Sequence, residues 1–193
     1  IQDQLPAFYF YRLIMGNITQ IGLVAGASIE DYENDVIKKH EHTRADKEAD
    51  RIKHVDTLNA NTGPVFLTYP AQKDIDKLTA ELTKEKPLYD FTTERGVHQS
   101  FWKVEDEKKI KQISEMFSKI RNLYVADGHH RSASATVVGQ RRRAANPHHT
   151  GDEEYNYFLA VIFPHHQLHI MDYNRVVKDL NGLSKEKFLE KVS

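Results

Sequence analysis

The stretch 123-LYVADGHHRSASA-135 contains the transition that decides the fold. Its apolar start ends at an acid and a glycine, and small and polar residues suited to a helix follow. The pattern predicts LYVAD as a β-strand, GHH as a turn and RSASATVVGQRRR as an α-helix. A strand that leads directly into a helix indicates a protein in which helices pack against a β-sheet.

The rest of the chain adds strands and helices without a strict βαβ period. This irregular order favours an α+β fold, a mixed sheet with flanking helices, over a doubly wound sheet. The predicted strands form hairpins over residues 7–27, over 87–105 with a turn at 94–96, and over 155–177 around 164–167; VFLTY, at 65–69, is a further strand. The predicted helices begin near Ser28, at 74 and at 106, and one more carries an apolar stripe of Ala49, Ile52, Val55 and Leu58.

The length and composition indicate a globular protein with one core. The chain has 193 residues, of which 39% are hydrophobic and 28% are charged. We therefore expect residues 1–193 to form a single α+β domain. Because the chain starts at Ile1 and ends at Ser193 within an apparent helix, we also expect it to be a fragment of a longer protein. The loop 144–154, rich in Pro, Gly and acids, is a candidate mobile segment.

Charge and cysteine content exclude several functional classes. The net charge of -1 and pI near 6.9 give no general electrostatic reason to bind nucleic acid or an anionic membrane. The absence of cysteine excludes disulfides, thiolate metal sites and thiol nucleophiles. No apolar run approaches the roughly 18 residues that a membrane span needs. We expect a cytoplasmic protein without nucleic-acid or membrane partners, and the sequence leaves its oligomeric state open.

The predicted turn after Asp127 has the composition of an anion site. A helix N-terminus exposes backbone N–H groups and the positive end of the helix dipole. A glycine lets the backbone approach an anion, and imidazole and guanidinium groups add donors. The candidate phosphate-binding residues are Gly128, His129, His130, Arg131 and Ser132. The alternative is an ordinary Asp-Gly turn with surface histidines; a Walker phosphate loop is excluded because no GxxxxGK[ST] string occurs.

The segment KHEHTR, at 39–44, is a second cluster of polar and ionisable residues. In an extended chain His40 and His42 would share a face and could suit zinc, but neither a third ligand nor a thiolate is identifiable, so no zinc is expected. A polar loop that caps the following helix is the other alternative. Two Pro-His-His triplets, at Pro147 and Pro164, are expected to be solvated, and Trp102 is expected in the core.

Three separated strings, ADGHHR, HEHTR and YNRVVKDLNG, resemble those of a bacterial family classed as a domain of unknown function. The DGHHR string is also similar to the nucleotide-phosphate motif of the ParB and sulfiredoxin superfamily, which includes free L-serine kinases with an upstream HE pair. This resemblance implies a ParB/sulfiredoxin-like nucleotide-binding core in which residues 128–131 contact phosphates. It further implies that Glu41 is the base and that Asp127 is a partner of Mg²⁺ or of the acceptor hydroxyl.

The resemblance implies a phosphotransferase that uses ATP or ADP with Mg²⁺ and acts on the hydroxyl of a small metabolite, free L-serine being the first candidate. The acceptor or the terminal phosphate would be bound by His42, Thr43 and Arg44. An acceptor with a carboxylate favours Arg44, because a guanidinium can donate two parallel hydrogen bonds to it. Arg175, expected on the late strand, would supply a second anion contact or serve a structural role. The alternatives are a nucleotide-binding switch module that resembles ParB and a non-catalytic interaction protein.

Overall fold

The computed structural model describes residues 3–192 and has the predicted α+β fold; Ile1, Gln2 and Ser193 lie outside the described residues. The strands are β1 (Phe8–Met15), β2 (Ile18–Ser28), β3 (Ile37–Lys38), β4 (Val65–Tyr69), β5 (Tyr89–Thr92), β6 (His98–Val104), β7 (Leu123–Asp127) and β8 (Tyr157–Pro164). The helices are α1 (Ile29–Glu33), α2 (Ala45–Leu58), α3 (Lys73–Leu82), α4 (Glu107–Phe117), α5 (His129–Ala145) and α6 (Lys185–Val192). Within residues 3–192, none of these helices combines the length and the apolar character that crossing a membrane requires.

The strands form one mixed eight-stranded sheet in the order β3-β7-β4-β8-β2-β1-β6-β5. The half from β8 to β5 is antiparallel throughout. The other half contains two parallel pairs, β4 with β8 and β3 with β7. Because neighbouring parallel strands end at the same edge of a sheet, the segments that follow β3 and β7 leave the sheet side by side.

The predicted N-terminal hairpin, β1–β2, and the predicted central hairpin, β5–β6, are both confirmed. Met15 of β1 pairs with Ile18 of β2, and the two-residue turn between them places Gly16 at φ 60°, as hairpin turns of this length require. The β5–β6 turn closes where the Gly96 N–H donates to the Thr93 carbonyl at 2.9 Å. Trp102 of β6 is only 4% exposed, so its predicted core position is also confirmed.

Helix α5 packs tightly against α1 and against the 3₁₀ turn that precedes β8, Glu154–Asn156. Gly139 permits this approach: a Cβ atom there would lie 2.5 Å from both the Ile29 Cδ1 atom and the Tyr155 carbonyl oxygen. The buried residues of α5 include Ser132, Ser134, Ala135, Thr136 and Val138. Small side chains thus hold the helix close to its neighbours, which fixes the position of its N-terminus.

Two local predictions are wrong. Helix α5 begins at His129, so both histidines lie in its first turn; Gly128 alone makes the change of direction. The late hairpin does not form, and residues 168–178 are irregular. Both edges of β8 are already paired, with β2 and with β4. The chain after β8 instead enters a 3₁₀ turn, where the Gln167 side chain accepts a hydrogen bond from the Ile21 N–H at 2.7 Å.

The loop proposed as mobile, 144–154, is organised around Glu153. The Glu153 carboxylate accepts hydrogen bonds from the Thr150 N–H at 2.8 Å and the Gly151 N–H at 3.0 Å, and it lies 2.9 Å from the His149 Nδ1 atom. Burial opposes ionisation of Glu153, but the N–H donors outweigh it and lower its pKa to about 2. The mobility of the loop stays a prediction.

Candidate functional site

The two polar segments singled out in the sequence meet at one edge of the sheet. Residues 40–44 follow β3, and residues 128–131 follow β7, its parallel neighbour. Between them and α2 lies a cleft of about 620 Å³. Glu41 and Asp127 are among the residues that line it, so both candidate catalytic carboxylates belong to one cleft.

The N-terminus of α5 lines this cleft. Gly128 sits at φ 100° and ψ 29°, a left-handed conformation that favours glycine. The Ser132 N–H makes a helical hydrogen bond to the Gly128 carbonyl at 3.0 Å, so the helix starts directly after the turn. Backbone N–H groups of a helix's first turn have no intrahelical acceptors, and here they lie beside the cleft.

His129 anchors the β3–α2 connection to α5. Its side chain is 4% exposed, and its Nδ1 atom lies 3.6 Å from the Glu41 Oε2 atom. Its Nε2 atom accepts a hydrogen bond from the His40 N–H at 3.5 Å, which leaves the proton of the neutral ring on the side of Glu41. Burial, together with the nearby His40, lowers the pKa of His129. The ring is therefore neutral near pH 7 and presents a donor to the carboxylate.

His130 makes the second link between the two segments. Its Nε2 atom accepts a hydrogen bond from the Arg44 N–H at 3.2 Å. Arg44 is the residue immediately before α2. The two adjacent histidines thus bind the backbone at both ends of the HEHTR segment, and the segment becomes one wall of the cleft.

Arg131 and Asp127 form an ion pair at the mouth of the cleft, with 2.7 Å between the Arg131 Nη2 and Asp127 Oδ2 atoms. The side chain of Asp127 is 77% exposed. The Nε atom of Arg131 is buried and has no hydrogen-bond partner. The guanidinium lies close to Gly128, where a Cβ atom would be 2.9 Å from Nη2.

Helix α2 contributes cleft residues that the sequence analysis missed. Lys47, Arg51 and His54 line the cleft together with Arg44. They recur at intervals of three or four residues, the spacing that places side chains on one face of a helix. The sequence contains this basic stripe beside the apolar stripe of the same helix. In the structure α2 has no buried residue, so the basic stripe is the more informative of the two.

The remaining predicted site residues do not line the cleft. Ser132 is fully buried, and its hydroxyl donates to the His129 carbonyl at 3.1 Å. His42 is exposed, and the Thr43 hydroxyl donates to the Glu48 carboxylate within the first turn of α2. Arg175 lies in the irregular segment 168–178 rather than on a strand, with its guanidinium 5.5 Å from the centre of the Tyr173 ring.

Among the described residues, the cleft lining offers carboxylates but no complete ligand set for a metal ion. Within residues 3–192 no three His, Cys, Asp or Glu side chains are grouped so that they could hold a metal ion. Mg²⁺ in phosphoryl-transfer sites usually needs one or two carboxylates, with phosphates and water as its other ligands. A Mg²⁺ ion in this cleft would therefore depend on phosphate ligands, with Asp127 as its candidate carboxylate.

Comparison with known proteins places the chain in a family. No curated protein and no solved structure matches it significantly. A family model does match, and the match covers residues 1–193, the whole sequence, including both polar segments of the cleft. The chain therefore belongs to the family described as protein of unknown function DUF1015.

Proposed function

We propose that this protein is a nucleotide-dependent phosphotransferase that phosphorylates the hydroxyl of a small metabolite, with free L-serine as the first acceptor to test. The observation that carries the proposal is the shared cleft: Glu41 and Asp127 face the same space as the N-terminus of α5 and the basic face of α2. The proposal includes the motif-level relationship to the ParB and sulfiredoxin superfamily, and a cytoplasmic location, where nucleotides and free amino acids are available.

The charge of the cleft supports binding of a polyphosphate. Four cationic side chains line it, Arg44, Lys47, Arg51 and Arg131, against the carboxylates of Glu41 and Asp127; Arg44 is also paired with Asp46, with 2.9 Å between Nη2 and Oδ2. An arginine guanidinium can donate two parallel hydrogen bonds to phosphate oxygens, and a lysine ammonium adds a compact positive charge. Since the whole chain carries a net charge of -1, this excess of positive charge is local to the cleft.

Glu41 is the proposed general base. Its side chain is 64% exposed, so an acceptor can reach it, while His129 lies 3.6 Å from its Oε2 atom on the buried side. In the proposed step Glu41 takes the hydroxyl proton as the acceptor oxygen attacks the terminal phosphorus. The bond from phosphorus to the bridging oxygen breaks, its electron pair stays on that oxygen, and the shortened nucleotide leaves.

Asp127 is the carboxylate proposed to hold Mg²⁺. When bound between phosphates, such an ion neutralises their charge. The ion pair with Arg131 keeps the Asp127 carboxylate at the mouth of the cleft, 2.7 Å from a guanidinium nitrogen. Arg131 would have to turn partly towards the phosphates, which would also give its Nε–H group an acceptor.

The test is product formation from ATP or ADP with Mg²⁺ and a panel of small alcohols that includes L-serine. We expect acceptor-dependent nucleotide consumption and a phosphorylated acceptor. Glu41→Gln should reduce kcat at least about 100-fold, the usual scale for loss of a general base, and leave nucleotide Kd unchanged. The control is Glu115→Gln, which removes an exposed carboxylate on α4, outside the cleft.

The outcomes separate the alternatives. Full activity of the Glu41→Gln protein would remove Glu41 from the mechanism. If nucleotide binds but no acceptor raises its turnover, the cleft belongs to a nucleotide-binding switch module instead. If neither nucleotide nor inorganic tripolyphosphate binds, the phosphate site itself is wrong.

A further inference from the structure

A second cavity of about 240 Å³ adjoins the cleft. It lies between α2 and α5, further along both helices, and Val55 and Asn61 line both spaces. On α5 the first turn at His129 and the cavity residue Val138 are nine positions apart, which corresponds to about 14 Å along the helix axis. An extended nucleoside triphosphate spans a distance of this order.

The chemistry of the second cavity differs from that of the cleft. Ala135 and Val138, 4% and 3% exposed, provide an apolar wall, and Val55 extends it. The Tyr157 carbonyl oxygen lies at the rim of the same cavity, 3.5 Å from the Asn61 side-chain nitrogen, while the Tyr157 ring packs over Gly26 on the other face of the sheet. Asn61 adds a side-chain amide that can donate and accept hydrogen bonds. Apolar walls with a few amides are typical of sites for largely uncharged groups.

The one arginine among the residues that line this second cavity is already neutralised. The Arg142 guanidinium donates to the Asp56 carboxylate at 3.1 Å and also to the Asn59 side-chain carbonyl. The cavity therefore does not repeat the positive charge of the cleft and is not a second phosphate site. A ligand that fills both spaces would be anionic at one end and largely uncharged at the other.

We infer that the second cavity binds the nucleoside, base and ribose, of the nucleotide whose phosphates occupy the cleft. The inference rests on the proposed function, because it assigns the other end of the same ligand. The base would lie beside Val55 and Val138. Residues 59–61 would then contact the nucleoside, while residues 128–131 contact the phosphates.

The test compares ligands that share the phosphate chain and differ in the nucleoside. Binding of ATP, GTP, CTP, UTP and inorganic tripolyphosphate is measured by calorimetry with Mg²⁺. We expect at least one nucleotide to bind about tenfold or more tightly than tripolyphosphate, the scale of removing part of one base from water against aliphatic side chains. This comparison needs only the unmodified protein.

Two variants locate the preference. Ala60→Phe places a ring in the cavity from an exposed position, and Ala135→Leu narrows it from the α5 wall. Each should abolish most of the nucleotide preference and leave tripolyphosphate affinity unchanged. The control is Phe91→Ala, which removes a ring that is 51% exposed on β5, at the opposite edge of the sheet.

Each result decides a different part of the assignment. Equal affinity for tripolyphosphate and all four nucleotides would overturn the nucleoside site and leave the phosphate cleft intact. A preference that survives both cavity variants would place the nucleoside elsewhere and overturn the inference. Failure of every ligand to bind would overturn the proposed function, and the nucleoside site with it.

Discussion

Replacement of Gly128 by alanine tests whether the turn before α5 is built to position Arg131. A left-handed alanine costs about 1–2 kcal/mol, and alanine recovers about 0.5 kcal/mol by restricting the unfolded chain. The added Cβ would lie 2.9 Å from the Arg131 Nη2 atom, but that atom ends a flexible side chain and can move at low cost. We therefore expect the free energy of unfolding to fall by about 1 kcal/mol.

The functional effect should exceed the effect on stability. Moving the guanidinium would break its contact with Asp127 and displace it from the mouth of the cleft. Loss of one charge-assisted hydrogen bond to phosphate corresponds to about 1.5–3 kcal/mol, so the Kd for tripolyphosphate should rise about tenfold or more. Urea denaturation gives the stability change, and calorimetry at a fixed salt concentration gives the Kd.

Gly151 offers a matched control. It has φ 103°, close to the 100° of Gly128, but a Cβ atom there would meet nothing within 4 Å. Gly151→Ala should therefore cause a similar loss of stability and no change in tripolyphosphate binding. The reasoning fails if both alanine variants bind tripolyphosphate equally, or if Gly128→Ala is as stable as the unmodified protein.

Three further variants test the structure around the cleft. Because the pKa of His129 is lowered from its usual 6.5, the unfolded chain binds this proton more readily, and the free energy of unfolding should fall as pH drops below about 6.5. In urea titrations at several pH values, His129→Gln should reduce this pH dependence, and an unchanged dependence would contradict the role given to His129. Gly139→Ala should cost about 1–3 kcal/mol in urea denaturation, because its Cβ would lie 2.5 Å from the Tyr155 carbonyl oxygen; a neutral result would refute the tight packing. Glu153→Gln should lower Tm at pH 7, and the Tm difference from the unmodified protein should disappear as pH falls from 4.5 towards 2, where the native carboxylate becomes protonated. A Tm difference that is constant with pH would exclude a role for the charge of Glu153.

The elements that depend on local chemistry could be predicted from the sequence. Turn glycines such as Gly16 and Gly96 mark the hairpins, and the Ser28 cap marks the start of α1 through its bond to the Asp31 N–H. The late hairpin could not be excluded in the same way. Its apolar pattern is suited to a strand, but β8 has no free edge because β2 and β4 occupy both sides. That constraint exists only once the whole sheet is assembled.

The pairing of strands in the assembled sheet also decides where the two polar segments lie. For this reason the residues of the candidate site could be predicted from the sequence only in part. The DGHHR motif was recognisable because a strand, a glycine turn and a helix follow one another directly. The HEHTR motif follows β3, which has only two residues, Ile37 and Lys38, and no detectable strand pattern. The parallel pairing of β3 with β7 nevertheless brings both motifs to one edge, where His129 and His130 hold the backbone of residues 40–44. Substitution of either histidine should therefore alter the position of Glu41 as well as the phosphate site, which a base on a rigid, independent loop would not do.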